Sequence, residues 1–120
     1  MARNEAAKTY DLLLKDVAGI TTPKLSSVST HVFHQYTILL NEGINRSDLQ
    51  EFLKTKGVPT MIYYPIPLHK QKAYKIDELE CDFPIADKLA EQVLSLPIHT
   101  ELTEQEQEYI VLMIKEFLNK

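Results

Sequence analysis

The segment from Gly57 to Tyr74 constrains the fold most, because Pro65 and Pro67 stiffen it and keep it out of a helix. Proline fixes its own φ angle and pushes the preceding residue toward extended geometry, so Tyr64 and Ile66 are expected to be extended. We therefore predict a rigid exposed ledge, a setting in which binding groups concentrate. The alternative is a strand end and a proline turn of purely structural role. The polar side chains of this ledge are those of Tyr63, Tyr64, His69, Gln71 and Tyr74.

The charge balance argues against a nucleic-acid partner. The 120 residues include 17 acidic and 13 basic side chains, with a net charge of −4, whereas phosphate backbones are bound by clustered positive charge. The longest apolar run, 109–114, is far shorter than the roughly 20 residues of a membrane span, and we expect no signal peptide. The single cysteine, Cys81, allows no intrachain disulfide and suits a reducing compartment. We expect a cytoplasmic protein without membrane or nucleic-acid partners.

Hydrophobic periodicity predicts four helices and about three strands. Apolar residues recur at spacings of three and four in each helix. The predicted helices run from the start of the chain to near residue 19, then over 46–57, 84–94 and 103–118. The predicted strands are 31–40, the extended run that precedes the paired tyrosines, and 94–98, while 20–30 and 75–83 are predicted loops. Asn45 or Ser47 is available to cap the second helix, and Thr103 with Glu106 forms a capping box at the start of the last.

The strand predicted over 31–40 has one apolar and one mixed face, because its residues alternate with a period of two. His31 and His34 then lie on opposite faces and cannot share a metal. We predict that His34, which alternates with Tyr36, is a hydrogen-bonded packing residue rather than a ligand. Arg46 lies at the positive end of a helix dipole, which disfavours a cation unless a carboxylate, a carbonyl or a ligand accepts from it, and we predict a structural role.

These elements predict an α+β fold. Few strands and helices with one apolar stripe favour a two-layer sandwich, in which helices cover one side of a small, mostly antiparallel sheet of about three strands. A doubly wound parallel sheet is the alternative. The last helix is apolar almost all round, so it is expected to be sandwiched or to face a second body.

Catalytic motifs are absent from the sequence. The three glycines are isolated, so no phosphate-binding loop exists, and neither a GxSxG elbow nor an HExxH motif is present. Four histidines scattered over 69 residues predict no metal site, and the acidic runs are interpreted as solvated surface. Taken alone, the residues describe a small domain with a polar ledge.

Five successive strings extend this interpretation by resemblance. They are ARNEAAKTYDLLL (2–14), HVFHQYTILL (31–40), the helix opened by Arg46, GVPTMIYYPIPLHKQKAY (57–74) and FPIADKLAEQVLSLPIHTELT (83–103). Together they resemble the C-terminal domain of the DegT/DnrJ/EryC1/StrS sugar aminotransferases, over residues 1–120 and in order. These pyridoxal-phosphate enzymes of the aspartate-aminotransferase fold transfer an amino group to a keto-sugar nucleotide.

The resemblance implies a protein larger than this chain. In the family, the Schiff-base lysine, the acid against the pyridine nitrogen and the phosphate cup lie in a large domain, and none of the eleven lysines here lies in a matching motif. The chain alone is expected to bind no cofactor, to contribute no catalytic residue and to be inactive. Its parent is expected to be a homodimer that binds pyridoxal phosphate, a UDP- or dTDP-linked keto sugar and an amino donor such as glutamate, in cell-surface polysaccharide or amino-sugar biosynthesis.

The resemblance also implies a substrate-binding set. His69 matches a family histidine at the mouth of the active site, and Tyr63 and Tyr64 match positions that flank the same mouth. Gln71, in the same motif, is assigned to substrate binding with them. Two other functions remain open: a stand-alone small-molecule binding module whose pocket is the ledge, and a structural or interaction domain that buries the ledge in a homodimer.

Overall fold

The computed structural model describes residues 2–74 and 82–120, which form a three-stranded antiparallel sheet and four α-helices. In chain order the elements are α1 (Ala2–Leu14), β1 (Ile20–Thr21), β2 (Tyr36–Leu40), α2 (Arg46–Thr55), α3 (Pro84–Gln92), β3 (Val93–Leu96) and α4 (Glu104–Leu118). Two single 3₁₀ turns, Leu68–Lys70 and Lys72–Tyr74, lie between α2 and α3. The predicted α+β class with a small antiparallel sheet is confirmed. No described helix is both long and apolar enough to cross a membrane.

Strand β2 is central, between β1 and β3. Tyr36 is opposite Leu96 and Ile38 is opposite Leu94 in the antiparallel pairing with β3. Tyr36, Ile38 and Leu40 are fully buried, whereas the residues between them are half-buried. The alternation predicted for this part of the chain therefore sets which face of the sheet meets the core.

The core lies between that face of the sheet and helices α1, α2 and α4. The helical residues in it recur at helical spacing, as a stripe facing the sheet requires. They are Ala7, Tyr10, Leu14, Leu49, Leu53, Ile110, Val111, Met113 and Ile114. One buried polar contact joins two of these helices, because Gln107 Nε2 of α4 donates to the Ala6 carbonyl of α1 at 2.7 Å.

Strand β2 is shorter than the predicted strand 31–40. Phe33 has φ +47° and donates its N–H to His31 Nδ1 at 2.9 Å, so a local turn interrupts the extended chain. The predicted faces are reversed before this turn, since Phe33 is buried and Val32 is 77% exposed. His34 is exposed, with Nδ1 3.5 Å from Nη1 of Arg3, so the predicted packing role is wrong.

The third strand of the sheet is not the predicted one. In the extended run before the tyrosines, Met61 alone is bridged to the sheet, and it exchanges two backbone hydrogen bonds with Ser95 (3.1 and 2.8 Å). Pro59 and Pro65 flank this bridge, and residues without an N–H group end a ladder. The sheet is completed instead by β1, whose two residues lie in a predicted loop; Ile20 pairs with Leu40.

Helix α1 ends at Leu14 and not near Gly19. A turn follows in which Val17 N–H donates to the Leu14 carbonyl, and the chain then reverses at Gly19 with φ +88° to enter β1. Only glycine adopts this φ readily. The turn is tight as well, because a Cβ at this position would lie 2.6 Å from Ile44 Cδ1.

Other boundaries shift by a few residues. Helix α3 ends at Gln92 rather than at 94, because Val93 is extended and Leu94 pairs with Ile38. Strand β3 correspondingly covers Val93–Leu96 and not 94–98. The predicted polar loop 75–83 lies outside the described residues over 75–81.

The predicted caps are present. Asn45 Oδ1 accepts from the N–H groups of Ser47 and Asp48, so Asn45 rather than Ser47 caps α2. Thr103 and Glu106 form the capping box of α4. Arg46 has the predicted structural role, because its guanidinium donates to the Ala90 carbonyl at the C-terminal part of α3.

Among residues 2–74 and 82–120, no element sandwiches helix α4. It packs against α1 and α2 through one side, whereas Leu112 on the other side is 58% exposed and Tyr109 is also exposed. The remaining alternative, a second body that covers this side, stays a prediction.

Candidate functional site

A groove of about 540 Å³ lies between the ledge and helix α3. We call it the tyrosine groove. Its residues come from the ledge (Tyr63, Tyr64, Ile66, Pro67, Leu68, Gln71), from α3 (Ala86, Leu89, Ala90) and from the start of β3 (Val93). Three of the four predicted substrate-binding residues therefore share one concave surface, which is mostly apolar with a few polar groups, as small-molecule sites usually are.

Local hydrogen bonds tie the ledge to β3 and fold its second half into two turns. The Met61–Ser95 bridge ties its start to β3. Beyond the prolines, the Lys70 N–H donates to the Pro67 carbonyl at 2.9 Å and the Tyr74 N–H to the Gln71 carbonyl at 2.9 Å. These two turns keep the segment compact after it leaves the sheet.

The tyrosine pair lines the groove and is exposed to solvent. Tyr63 is 37% exposed and Tyr64 is 70% exposed, and their rings meet edge to face with centroids 5.8 Å apart. Gln71 Nε2 lies 3.4 Å from the Ile66 carbonyl, at the far end of the same surface. The ledge is therefore presented outward and is not packed into the interior of the domain.

His69 does not line the tyrosine groove. Its Nε2 lies 3.1 Å from Oδ1 of Asp87, its ring centroid is 5.0 Å from that of Phe83, and its side chain is 19% exposed. The structure therefore places His69 beside the groove, against the first turn of α3. Tyr74, the last polar residue of the ledge, is exposed and lies outside the groove.

Asp87 is a polar member of this region that sequence reasoning missed. Its Oδ1 is shielded from solvent and lies within ion-pair distance of Lys70 Nζ (2.8 Å) and His69 Nε2 (3.1 Å), although neither contact has hydrogen-bond geometry. The Lys70 ammonium, and to a smaller extent His69, hold the pKa of Asp87 below its usual value, although burial acts in the opposite direction. An acid in the first turn of a helix is normally explained by its interaction with the helix dipole, so no sequence pattern assigns Asp87 to a binding site.

A second groove, of about 530 Å³, lies at the start of α4. Pro59, Pro97, His99 and Tyr109 are among its residues, and it contains none of the predicted substrate-binding side chains. The tyrosine groove is the better candidate because predicted binding residues converge on it.

The described residues do not fit pyridoxal phosphate. A Schiff-base lysine must be desolvated or held beside another cation to act as a nucleophile, whereas every lysine described is exposed except Lys56, which is half-buried and paired with Glu116. None of the described lysines lines the tyrosine groove. Within 2–74 and 82–120, no group of three metal-ligating side chains comes together either.

The sequence matches the model of the DegT/DnrJ/EryC1/StrS aminotransferase family over residues 1–115. It is 44% identical over 118 residues to the pleiotropic regulatory protein of Geobacillus stearothermophilus, with 96% of this chain and 31% of that protein aligned. It is also 44% identical over 100 residues to UDP-2-acetamido-2-deoxy-3-oxo-D-glucuronate aminotransferase of Pseudomonas aeruginosa, with 83% of this chain and 26% of that protein aligned. The chain thus spans about a third or less of the length of these relatives.

The fold matches solved structures of the same kind. The crystal structure of S. venezuelae DesV, in complex with a ketimine intermediate, superposes with a TM-score of 0.88 at 29% sequence identity, over 99% of this chain and 32% of that chain. The sequence match and the superposition both include the ledge, α3 and the sheet. The chain therefore belongs to the DegT/DnrJ/EryC1/StrS aminotransferase family.

Proposed function

We propose that this chain is the C-terminal domain of a pyridoxal-phosphate-dependent aminotransferase that acts on a nucleotide-linked keto sugar. The single observation that carries the proposal is family membership across 115 residues, which include the outward-facing tyrosine groove. The name of the Pseudomonas relative specifies a UDP-linked 3-oxo sugar, which favours a UDP sugar over a dTDP sugar. Glutamate as donor, a homodimeric parent, cytoplasmic location and a role in surface polysaccharide or amino-sugar synthesis belong to the same proposal.

The groove has the chemistry to hold a sugar nucleotide. Tyr63 and Tyr64 offer aromatic faces for a ring and hydroxyls that both donate and accept, and Gln71 offers an amide with both functions. The rest of the wall is aliphatic, so polar contacts are few and set the orientation of the ligand. His69, beside the groove, is the candidate contact for a substrate that extends past its rim.

Amino transfer itself requires protein beyond the described residues. Pyridoxal phosphate supplies the site that carries the amino group between donor and acceptor, and no lysine described here is suited to hold it. This chain would bind and orient the acceptor sugar and exclude water from one side of the cleft. The isolated chain is accordingly expected to be inactive.

The test compares the complete protein encoded by the gene with the 120-residue chain. The complete protein is expected to show cofactor absorbance and to aminate a UDP-linked 3-keto sugar, while the chain alone does neither. A Tyr64→Ala variant of the complete protein is expected to raise KM for the sugar and to retain the absorbance, because Tyr64 is exposed in the groove. A gene that encodes this domain alone, with a sugar nucleotide bound to it, would instead favour a stand-alone binding module.

A further inference from the structure

We propose that Asp87 is the positioning residue of His69: its carboxylate on α3 fixes the imidazole of the ledge in the orientation that meets the substrate. The inference rests on the proposed function, which makes His69 a substrate contact. It adds a residue outside the ledge to the binding site, and it assigns that residue an indirect role.

Two contacts define the position of the imidazole. Nε2 of His69 lies 3.1 Å from Asp87 Oδ1, and the ring packs against Phe83 with centroids 5.0 Å apart. The Asp87 N–H donates to the Phe83 carbonyl at 3.0 Å, so both partners belong to one helical turn. That turn fixes Asp87 and Phe83 relative to each other. It can therefore hold the His69 ring through Nε2 on one side and through ring packing on another.

Lys70 keeps the carboxylate in its charged form. Its Nζ lies 2.8 Å from the same Oδ1, and it is the main reason that the pKa of Asp87 is lowered. A carboxyl whose pKa lies below its ordinary value is ionised at neutral pH. The carboxylate of Asp87 is therefore charged before any substrate binds.

An ionised carboxylate can only accept, so it favours the tautomer that carries the proton on the facing Nε2. The ring nitrogen left for another partner is then Nδ1. A free imidazole would present either nitrogen and rotate about its side-chain bonds, which costs conformational entropy when a ligand orders it. Preorganisation by Asp87 removes this cost before the sugar nucleotide binds.

The first experiment measures steady-state kinetics of the complete protein with Asp87→Ala and Asp87→Asn. KM for the keto sugar is expected to rise about tenfold, as loss of a charged contact of about 1.4 kcal/mol would produce. KM for the amino donor stays unchanged. Lys88→Ala is the matched control, because it removes another ion pair of α3, Lys88–Glu42 (2.8 Å), without touching His69.

A double variant separates positioning from direct or structural action. In His69→Ala protein, the further change Asp87→Ala is expected to have no effect on KM, because the residue to be positioned is gone. An equal rise in KM with and without His69 would overturn the proposal. So would an unchanged KM for the sugar in Asp87→Ala.

A second experiment does not depend on the enzymatic activity. In the 120-residue chain, the Phe83 ring is expected to displace the ring-proton resonances of His69 from the values of an unstructured histidine. Asp87→Ala moves them toward those values and Lys88→Ala does not. If the complete wild-type protein aminates no sugar, the proposed function fails while this measurement still decides the positioning; unmoved His69 resonances in Asp87→Ala would refute it.

Discussion

Three polar side chains in and around the core each have a partner, and together they anchor α1. Tyr10 donates its hydroxyl to the Pro97 carbonyl at 2.8 Å, and Tyr36 donates to Asp11 Oδ1 at 2.6 Å. Gln107 reaches the Ala6 carbonyl. Burial raises the pKa of Tyr10, and burial with the charge of Asp11 raises that of Tyr36, so both hydroxyls remain donors throughout the neutral range.

Tyr10→Phe is expected to destabilise the chain by about 1–2 kcal/mol, because it leaves the half-buried Pro97 carbonyl without its donor. Tyr109→Phe removes the same group from an exposed tyrosine that donates to the Lys56 carbonyl at 3.0 Å. Its expected cost is below about 0.5 kcal/mol. Urea unfolding of the 120-residue chain measures both, and equal costs would show that burial does not set the value of the Tyr10 bond.

At the level of elements, the start of α2 offers a direct test of which residue caps it. Asn45→Ala is expected to cost about 1 kcal/mol, since Asn45 Oδ1 accepts from two otherwise free N–H groups of the first turn. Ser47→Ala serves as the control, because Ser47 contributes its backbone N–H and not its side chain. A larger loss for Ser47→Ala in thermal unfolding would contradict the assigned cap.

The start of α4 predicts a pH-dependent contribution to stability. Glu106 accepts from the Thr103 N–H at 2.8 Å and from its hydroxyl at 2.7 Å, and these bonds lower the pKa of Glu106. Because the pKa is lower in the folded state, the ionised carboxylate stabilises the fold at pH values above the unfolded-state pKa of about 4.3. This contribution is lost as the pH falls through the folded-state pKa.

Glu106→Gln is therefore expected to be less stable than wild type at pH 7, by an amount that shrinks as the pH is lowered below about 4. Glu104→Gln, in the same turn of α4, is the control for the charge of the helix start. Unfolding midpoints at a series of pH values check this. A difference that stays constant with pH would mean that the carboxylate charge of Glu106 plays no part.

The elements also show how far the sequence determines the fold. The predicted alternation puts Tyr36, Ile38 and Leu40 on one face of the strand, and the structure shows that this face meets the core. The two residues of β1 are too few for any period and are defined only by pairing with β2. Val93 and Leu94 suit a helix stripe or a strand equally, and tertiary pairing decides between them.

The candidate site was predicted only in part, because local sequence patterns do not reveal contacts between distant residues. The prolines identified the ledge in the sequence. Tyr63, Tyr64 and Gln71 line one groove because they lie on the same short segment. The placement of His69 beside the groove depends on Asp87 and Phe83, which are distant in sequence. No local pattern links an acid in the first turn of α3 to an imidazole on the ledge.

At the scale of the whole molecule, apolar side chains remain exposed along the ledge and on α3. Ile66, Leu68 and Leu89 are all exposed, and all three line the tyrosine groove. Contiguous apolar surface of this kind is characteristic of interaction sites. The proposed function places the rest of the aminotransferase across this surface, so it predicts that the surface is covered in the complete protein.

Cysteine labelling tests this cover, with Ile66→Cys as the probe in a Cys81→Ser background. The engineered thiol is expected to react readily in the isolated chain and at least tenfold more slowly in the complete protein, since reaction requires access to the thiolate. Val28→Cys, in the exposed loop between β1 and β2, is expected to react at similar rates in both. Labelling of Ile66→Cys should slow further when a sugar nucleotide is added. Equal rates for Ile66→Cys in the isolated chain and the complete protein would mean that the groove is open on both sides and cannot be one wall of an enclosed active site.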